Sequence, residues 1–91
     1  MKKAVRLTLT GNLQSMFSKK YIKDNADSNN VKGFLRTLED SRIEVFLEGS
    51  SDDVDAMIAV CSKGPSYTVI RNVEMKPERL QDFKDFKIFG F

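Results

Sequence analysis

The pattern of apolar and polar residues predicts five β-strands, and in the first and third of them it alternates with the period of a strand that has one buried face. In the first segment Val5, Leu7 and Leu9 alternate with polar residues, and Gly11 ends the run. The other four segments are 31–38, 42–48, 68–75 and 85–91. A short polar stretch at 39–41 joins the second segment to the third, so the sequence predicts a β-hairpin there.

A first helix is predicted over 17–26. Phe17, Tyr21 and Ile22 share one side of it and lysines occupy the other, which is the pattern of an amphipathic helix. The turn-rich sequence NADSNN ends it.

A second helix is predicted after Gly49, where Ser50 or Ser51 can act as the N-cap. Three aspartates follow the cap and favour the positive end of the helix dipole, and the sequence KGP at 63–65 stops the helix. Its apolar positions have helical spacing and are Val54, Met57, Ile58 and Cys61. This spacing predicts core packing for the methionine and the cysteine rather than metal binding, and an inert thiol.

The order strand, helix, strand, strand, helix, strand, with a last short strand, indicates an α+β protein. It predicts a ferredoxin-like split βαβ sandwich (βαββαβ), with two helices on one face of an antiparallel sheet. Lys76 and Pro77 are expected in the connection between the last two strands. The 91 residues contain no linker or repeat, so we expect one domain over 1–91.

Composition excludes several kinds of site. The chain has no histidine and one cysteine, which excludes His/Cys zinc sets, His-dependent triads and an internal disulfide. The N-terminal sequence MKKAVRLTLTGN lacks the unbroken apolar run of a signal peptide or membrane span. We therefore expect a cytoplasmic protein that does not associate with membranes.

Charge is distributed unevenly although the net charge is only +2. Residues 1–36 carry eight basic and two acidic side chains, and the remaining residues carry seven basic and eleven acidic ones. A local positive field of this kind suits a small anionic ligand, while lysines that simply face solvent would give the same count.

The stretches GNLQSMFSKKY, VKGFLRTLEDSRIEVFLEGSSDDVDAMI, KGPSYTVIRNVEM and DFKIFGF have the order and spacing of an acylphosphatase. The chain resembles that family over nearly its whole length. In the family, a loop of pattern GxVQGVxFR holds phosphate on backbone amides and an arginine, and an asparagine in a GWVxN strand positions the attacking water. Gly11, Leu13 and Gln14 match the loop, and Gly33, Phe34 and Leu35 resemble the start of the strand motif.

The resemblance implies a hydrolase that cleaves acyl phosphates into carboxylate and phosphate, without a metal or an organic cofactor. It implies a phosphate-binding loop of Gln14, Ser15, Met16, Phe17, Ser18 and Lys19. The catalytic arginine and asparagine positions hold Lys19 and Thr37, while Ser15 and Ser18 replace a glycine and a phenylalanine. Lysine offers a point charge instead of a planar fork, and the threonine hydroxyl is shorter than an amide. We therefore expect a degenerate site, with catalysis weaker than phosphate binding, and leave open whether the chain is an enzyme.

Other interpretations of these residues remain open. Lys19 can be a solvated lysine, Thr37 an ordinary strand residue, and Gln14 or Ser18 a helix cap, the last being the favoured role of Ser18. As a whole, the chain can instead be an inactive homologue that binds anions or, through an exposed aromatic face, a protein. RNA binding by Phe34 and Phe46 on the open sheet face is the least favoured class, because Glu44 and Glu48 flank Phe46. We expect a monomer that binds a small acyl phosphate or inorganic phosphate and no nucleic acid.

Overall fold

The computed structural model describes residues 1–11, 16–64 and 69–89, the side chains of residues 16 and 17 excepted. Within them lie five strands and two helices. In chain order the elements are β1 (Lys2–Gly11), α1 (Met16–Ser28), β2 (Lys32–Thr37), β3 (Ile43–Ser50), α2 (Ser51–Lys63), β4 (Ile70–Glu78) and β5 (Phe86–Phe89).

The five strands form one sheet in the order β4-β1-β3-β2-β5, and both helices pack on one face of it. The predicted ferredoxin-like fold is thereby confirmed. The pairs β1–β3, β1–β4 and β2–β3 are antiparallel, whereas β5 runs parallel to β2, so the complete sheet is mixed. The predicted hairpin is the β2–β3 pair.

The core lies between the sheet and the helices, where the alternating residues of the strands meet the apolar faces of α1 and α2. Its buried members include Val5, Leu7, Leu9, Ile22, Ala26, Val45, Leu47, Val54, Met57, Cys61 and Phe86. Burial raises the pKa of the Cys61 thiol to about 12, so the thiol stays protonated and unreactive at neutral pH. The prediction that the methionine and the cysteine of α2 are core residues is confirmed.

Both ends of α2 agree with the sequence analysis. The Ser50 hydroxyl accepts a hydrogen bond of 3.3 Å from the backbone N–H of Asp53, which identifies Ser50 as the N-cap. Gly64 ends the helix with φ of 69°, a left-handed conformation in which glycine carries no side-chain penalty.

Two predicted boundaries are wrong. β4 continues through Lys76 and Pro77 to Glu78, because it is an edge strand and a proline there removes no hydrogen bond that the sheet needs. Ser18 is not the cap of α1, since the helix already begins at Met16 and Ser18 lies inside its first turn. The predicted last strand ends at 89, and residues 90–91 lie outside the described part of the chain.

The open face of the sheet carries charged side chains that pair with one another. The Glu44 carboxylate binds the guanidinium groups of Arg36 at 2.6 Å and Arg6 at 3.0 Å, and Arg6 also contacts Glu78 at 3.3 Å. Burial raises the pKa of Glu44, but the hydrogen bonds and charges of the two arginines outweigh burial and lower that pKa overall. Glu44 therefore stays ionised and ties three strands together.

The segment between β4 and β5 covers the other part of the open face. The buried carboxylate of Glu48 accepts hydrogen bonds from the backbone N–H groups of Gln81, Asp82 and Phe83, at 2.7 to 3.2 Å. The Phe83 ring then packs 5.5 Å from the ring of Phe46, which is 0% exposed. The predicted half-buried β3 is thus buried on both faces.

We expect Phe86→Ala to lower the free energy of unfolding by about 3–5 kcal/mol, because the ring is 1% exposed and its loss leaves a cavity in the core. Lys87→Ala, on the exposed side of the same strand, should change stability by less than about 0.5 kcal/mol. Chemical denaturation measures both. An unchanged unfolding midpoint for Phe86→Ala would show that β5 contributes nothing to the core.

Candidate active site

The strand register brings the C-terminal ends of β1 and β2 to the same end of the sheet. Ile43 of β3 pairs with Leu9 on one side and with Thr37 on the other. Because neighbouring strands lie about 4.8 Å apart, Thr37 is roughly 10 Å from Leu9 along this row. β1 ends two residues later at Gly11, and the four residues 12–15 connect it to α1. Thr37 therefore lies at the end of the sheet where β1 leads toward α1.

Lys19 lies in the first turn of α1 and is only 4% exposed. Within the part of the chain that the structure describes, no carboxylate forms an ion pair with it. The next two lysines of the helix behave differently, because Lys20 pairs with Asp24 at 3.0 Å and Lys23 pairs with Asp27 at 2.8 Å. The interpretation of Lys19 as a solvated surface lysine is therefore wrong.

The first turn of α1 also supplies groups that bind anions. The first four backbone N–H groups of a helix have no partner within the helix, and the helix dipole places partial positive charge there. In this turn Ser18 is 1% exposed and Lys19 adds a full positive charge. A lysine is disfavoured by the dipole at this position unless an anion is bound, so the arrangement suits an anionic ligand.

Thr37 is the last residue of β2, and its hydroxyl oxygen is buried without a hydrogen-bond partner among the described residues. Alternation along β2 puts Thr37 on the same face as the buried Gly33 and Leu35, which is the face that the helices cover. An unsatisfied buried hydroxyl costs about 1–3 kcal/mol, so a water or ligand atom bonded to it would stabilise the site.

Two of the predicted loop residues cannot be placed. Gln14 and Ser15 lie outside the described residues, and of Met16 and Phe17 only the backbone is described, as the first two residues of α1. The proposed cap role of Gln14 lies outside the described residues as well.

Gly11 has a structural function at the edge of the predicted loop. Its φ is 158°, and a Cβ atom built there would lie 2.2 Å from the carbonyl oxygen of Val69. At this point the pairing of β1 with β4 shifts, because Thr10 pairs with Asn72 while Gly11 pairs with Ile70. The glycine therefore permits a close approach of β4 that any larger residue would prevent.

A cavity of about 420 Å³ opens beside this close approach. It is lined by Thr10, Gly11, Asp40, Ser41, Arg42, Val69 and Arg71. The sequence analysis did not single out the two arginines, and it could not have done so from spacing, because 29 positions separate them in the chain. They meet only because the loop between β2 and β3 and the start of β4 lie at the same end of the sheet.

Two further observations on the described residues concern metal ligands and membrane-spanning helices. No group of three or more histidine, cysteine, aspartate or glutamate side chains among them is arranged to hold a metal ion. Neither helix in that part of the chain is long and apolar enough to cross a membrane.

Comparison of the sequence with known proteins identifies its family. The model of the acylphosphatase family matches residues 5–88. The acylphosphatase of Syntrophus aciditrophicus (strain SB) is 32% identical over 89 residues, which cover 97% of this chain and 93% of the relative.

Solved structures agree on the fold. The acylphosphatase from Bacillus subtilis has a TM-score of 0.90 at 19% identity, with 99% of this chain and 100% of that chain covered. Full-length HypF, solved in its phosphate- and nucleotide-bound form, matches with a TM-score of 0.89 and 25% identity over 99% of this chain and 12% of its own length. Because the family model and the Syntrophus relative both match nearly the whole chain, the chain belongs to the acylphosphatase family.

Proposed function

We propose that this protein hydrolyses acyl phosphates to carboxylate and phosphate, and that its catalysis is weaker than that of family members with arginine and asparagine at the two catalytic positions. The observation that carries the proposal is the burial of Lys19 at the start of α1 with no carboxylate partner among the described residues. A nearby anion stabilises a buried ammonium group, and the family's ligand is a phosphate.

Phosphate binding is assigned to Lys19 together with the backbone N–H groups from Gln14 to Ser18. Amides at a helix start donate hydrogen bonds to phosphate oxygens, and the ammonium group neutralises part of the charge. Lysine holds one oxygen at a time through a flexible stem, whereas an arginine fork holds two in a plane. Affinity is retained in this arrangement, while the orientation of the phosphoryl group is less well fixed.

The attacking water is assigned to Thr37. Its buried hydroxyl has a free hydrogen-bonding capacity among the described residues and can accept from or donate to one water. The family's asparagine carries an amide that reaches farther and offers a separate donor and acceptor. A misplacement of about 1 Å can reduce a rate on the order of a hundredfold, which is the basis for the proposed loss of activity.

The chemistry itself demands little of the side chains. The water oxygen forms a bond to phosphorus while the bond from phosphorus to the acyl oxygen breaks, and the carboxylate leaves with the electron pair. The protons of the water go to the product phosphate and to solvent. A carboxylate is a stable leaving group, so no side chain has to protonate it, and positioning and charge stabilisation account for catalysis.

The main alternative is an inactive homologue that binds anions or a protein partner. Lys19 supports anion binding equally well without turnover, so only an assay separates the two. The aromatic face expected for a protein-binding or RNA-binding role is largely covered in the described structure. Phe46 is fully buried and Phe34 stacks 5.7 Å from it and 5.5 Å from Phe89, the one exposed ring of this cluster.

We expect inorganic phosphate to shift the backbone amide signals from residue 14 to residue 19 in a saturable titration, because these groups form the proposed site. Lys19→Met keeps the length of the side chain and removes the charge, so phosphate affinity should fall at least about tenfold. Lys20→Met removes the adjacent, exposed lysine and should leave affinity within about twofold. Equal affinity in both variants, or shifts spread over all surface lysines, would contradict the site.

We expect the double variant Lys19→Arg/Thr37→Asn to hydrolyse an acyl phosphate at least about tenfold faster than the wild type, and faster than either single variant. The guanidinium introduced at position 19 fixes the phosphoryl group, and the amide introduced at position 37 fixes the water. Either substitution alone therefore raises the rate little, because the other reactant is still poorly oriented. Tenfold corresponds to only about 1.4 kcal/mol of barrier. Release of phosphate from benzoyl phosphate measures it.

The control is the thermal unfolding of each variant, because a larger side chain at the buried position 19 can disturb packing. A folded double variant that binds phosphate without hydrolysing acyl phosphate faster would indicate that Ser15 and Ser18, rather than Lys19 and Thr37, limit the activity. A wild type that already matches the double variant would show that lysine and threonine are competent catalysts here.

A further inference from the structure

The cavity beside Gly11 opens at the end of β1, before the segment that leads to the proposed phosphate site, and has no role in the function proposed so far. Gly11 lines its wall and is also the last described residue before the loop that leads to α1. Its volume of about 420 Å³ is in the range of cavities that take small molecules. A substrate whose phosphoryl group binds at the start of α1 can extend toward this cavity.

Arg71 reaches this cavity because of a bulge in β4. The partners of consecutive β1 residues Thr10 and Gly11 are Asn72 and Ile70, so Arg71 is the extra residue that has no partner opposite it. A bulge of this kind bends the strand and turns a side chain away from its regular alternation. Arg71 is exposed and lines the cavity.

The charge of Arg71 is available to a ligand. The other arginine of the cavity, Arg42, binds the Asp40 carboxylate at 2.6 Å through its side chain and at 3.2 Å through its backbone N–H. The backbone and side-chain hydrogen bonds from Arg42 lower the pKa of Asp40, so the carboxylate is ionised at neutral pH and neutralises Arg42. Within the described residues, no carboxylate pairs with Arg71.

The cavity also offers an apolar wall. Val69 is 60% exposed and lies two positions before Arg71. A short methylene chain can pack on a valine side chain while an anionic end group reaches an arginine, which binds carboxylates and phosphates as a planar fork.

We propose that this cavity binds the acyl part of the substrate and that Arg71 selects acyl phosphates whose acyl group carries a second anionic group at its far end. The proposal rests on the function proposed above. It makes Arg71 a specificity-determining residue outside the proposed phosphate loop. The preferred substrates are acyl phosphates whose acyl group ends in an anionic group.

The test compares succinyl phosphate with butyryl phosphate, which share a four-carbon acyl chain and differ in a terminal carboxylate against a methyl group. After subtraction of the non-enzymatic rates, wild-type kcat/KM should be about tenfold higher for succinyl phosphate, equivalent to about 1.4 kcal/mol. Arg71→Gln should abolish that ratio, because kcat/KM for succinyl phosphate should fall to the value for butyryl phosphate measured in the same variant. Arg71→Lys should keep part of the ratio, because it keeps the charge without the fork.

The matched control is Arg79→Gln. Arg79 is also an exposed arginine, and it follows the opposite end of β4, outside the lining of the cavity. If general attraction of an anionic substrate produced the preference, Arg79→Gln would reduce the ratio as much as Arg71→Gln. That result, or a wild type without preference between the two substrates, overturns the proposal.

A binding measurement separates failure of this inference from failure of the hydrolase proposal. The non-hydrolysable phosphonates 4-oxo-5-phosphonopentanoate and 2-oxopentylphosphonate are the matched analogues of the two substrates. If the wild type hydrolyses neither substrate, the proposed enzyme function fails, while tighter binding of the first phosphonate that is lost in Arg71→Gln still supports the cavity. Equal affinities for the two phosphonates overturn it.

Discussion

The register of β1, β3 and β2 is the constraint on which the rest of the structure depends. Side chains alternate with a period of two, so a slip of one residue would move Leu9, Val45 and Leu47 from the core to the open face. The same register sets Thr37 in the row of Leu9 and Ile43. The burial of apolar side chains therefore places a proposed catalytic residue at the edge where the phosphate loop begins.

The second organising feature is the burial of charge in two different ways. Glu44 and Glu48 are buried on the open face, and both are satisfied, one by two arginines and the other by three backbone N–H groups. Lys19 is equally buried but has no carboxylate partner in the described part of the chain. Because a buried charge without a partner is costly, the satisfied charges of Glu44 and Glu48 indicate a structural role, whereas the burial of Lys19 supports the binding role proposed for it.

The edge of the sheet that carries the candidate site is also the least regular part of it. Gly11 allows β4 to come close, and the resulting bulge turns Arg71 toward the cavity. The regular parts of the sheet hold the core, while this irregular end carries the cavity proposed to bind the acyl group. That division is common where a rigid scaffold supports a site in the loops at its end.

The sequence alone determined the elements, their order and the ferredoxin-like fold, because alternation along β1 and helical spacing in α2 are local patterns that record which side chains face the core. Through the family motifs it also singled out Lys19 and Thr37 as candidate site residues. It did not determine that Lys19 is buried, that Phe46 is covered, or that Arg71 lines a cavity with Arg42. Each of these depends on segments far apart in the chain that meet only after the sheet has formed, and a local pattern contains no record of such neighbours.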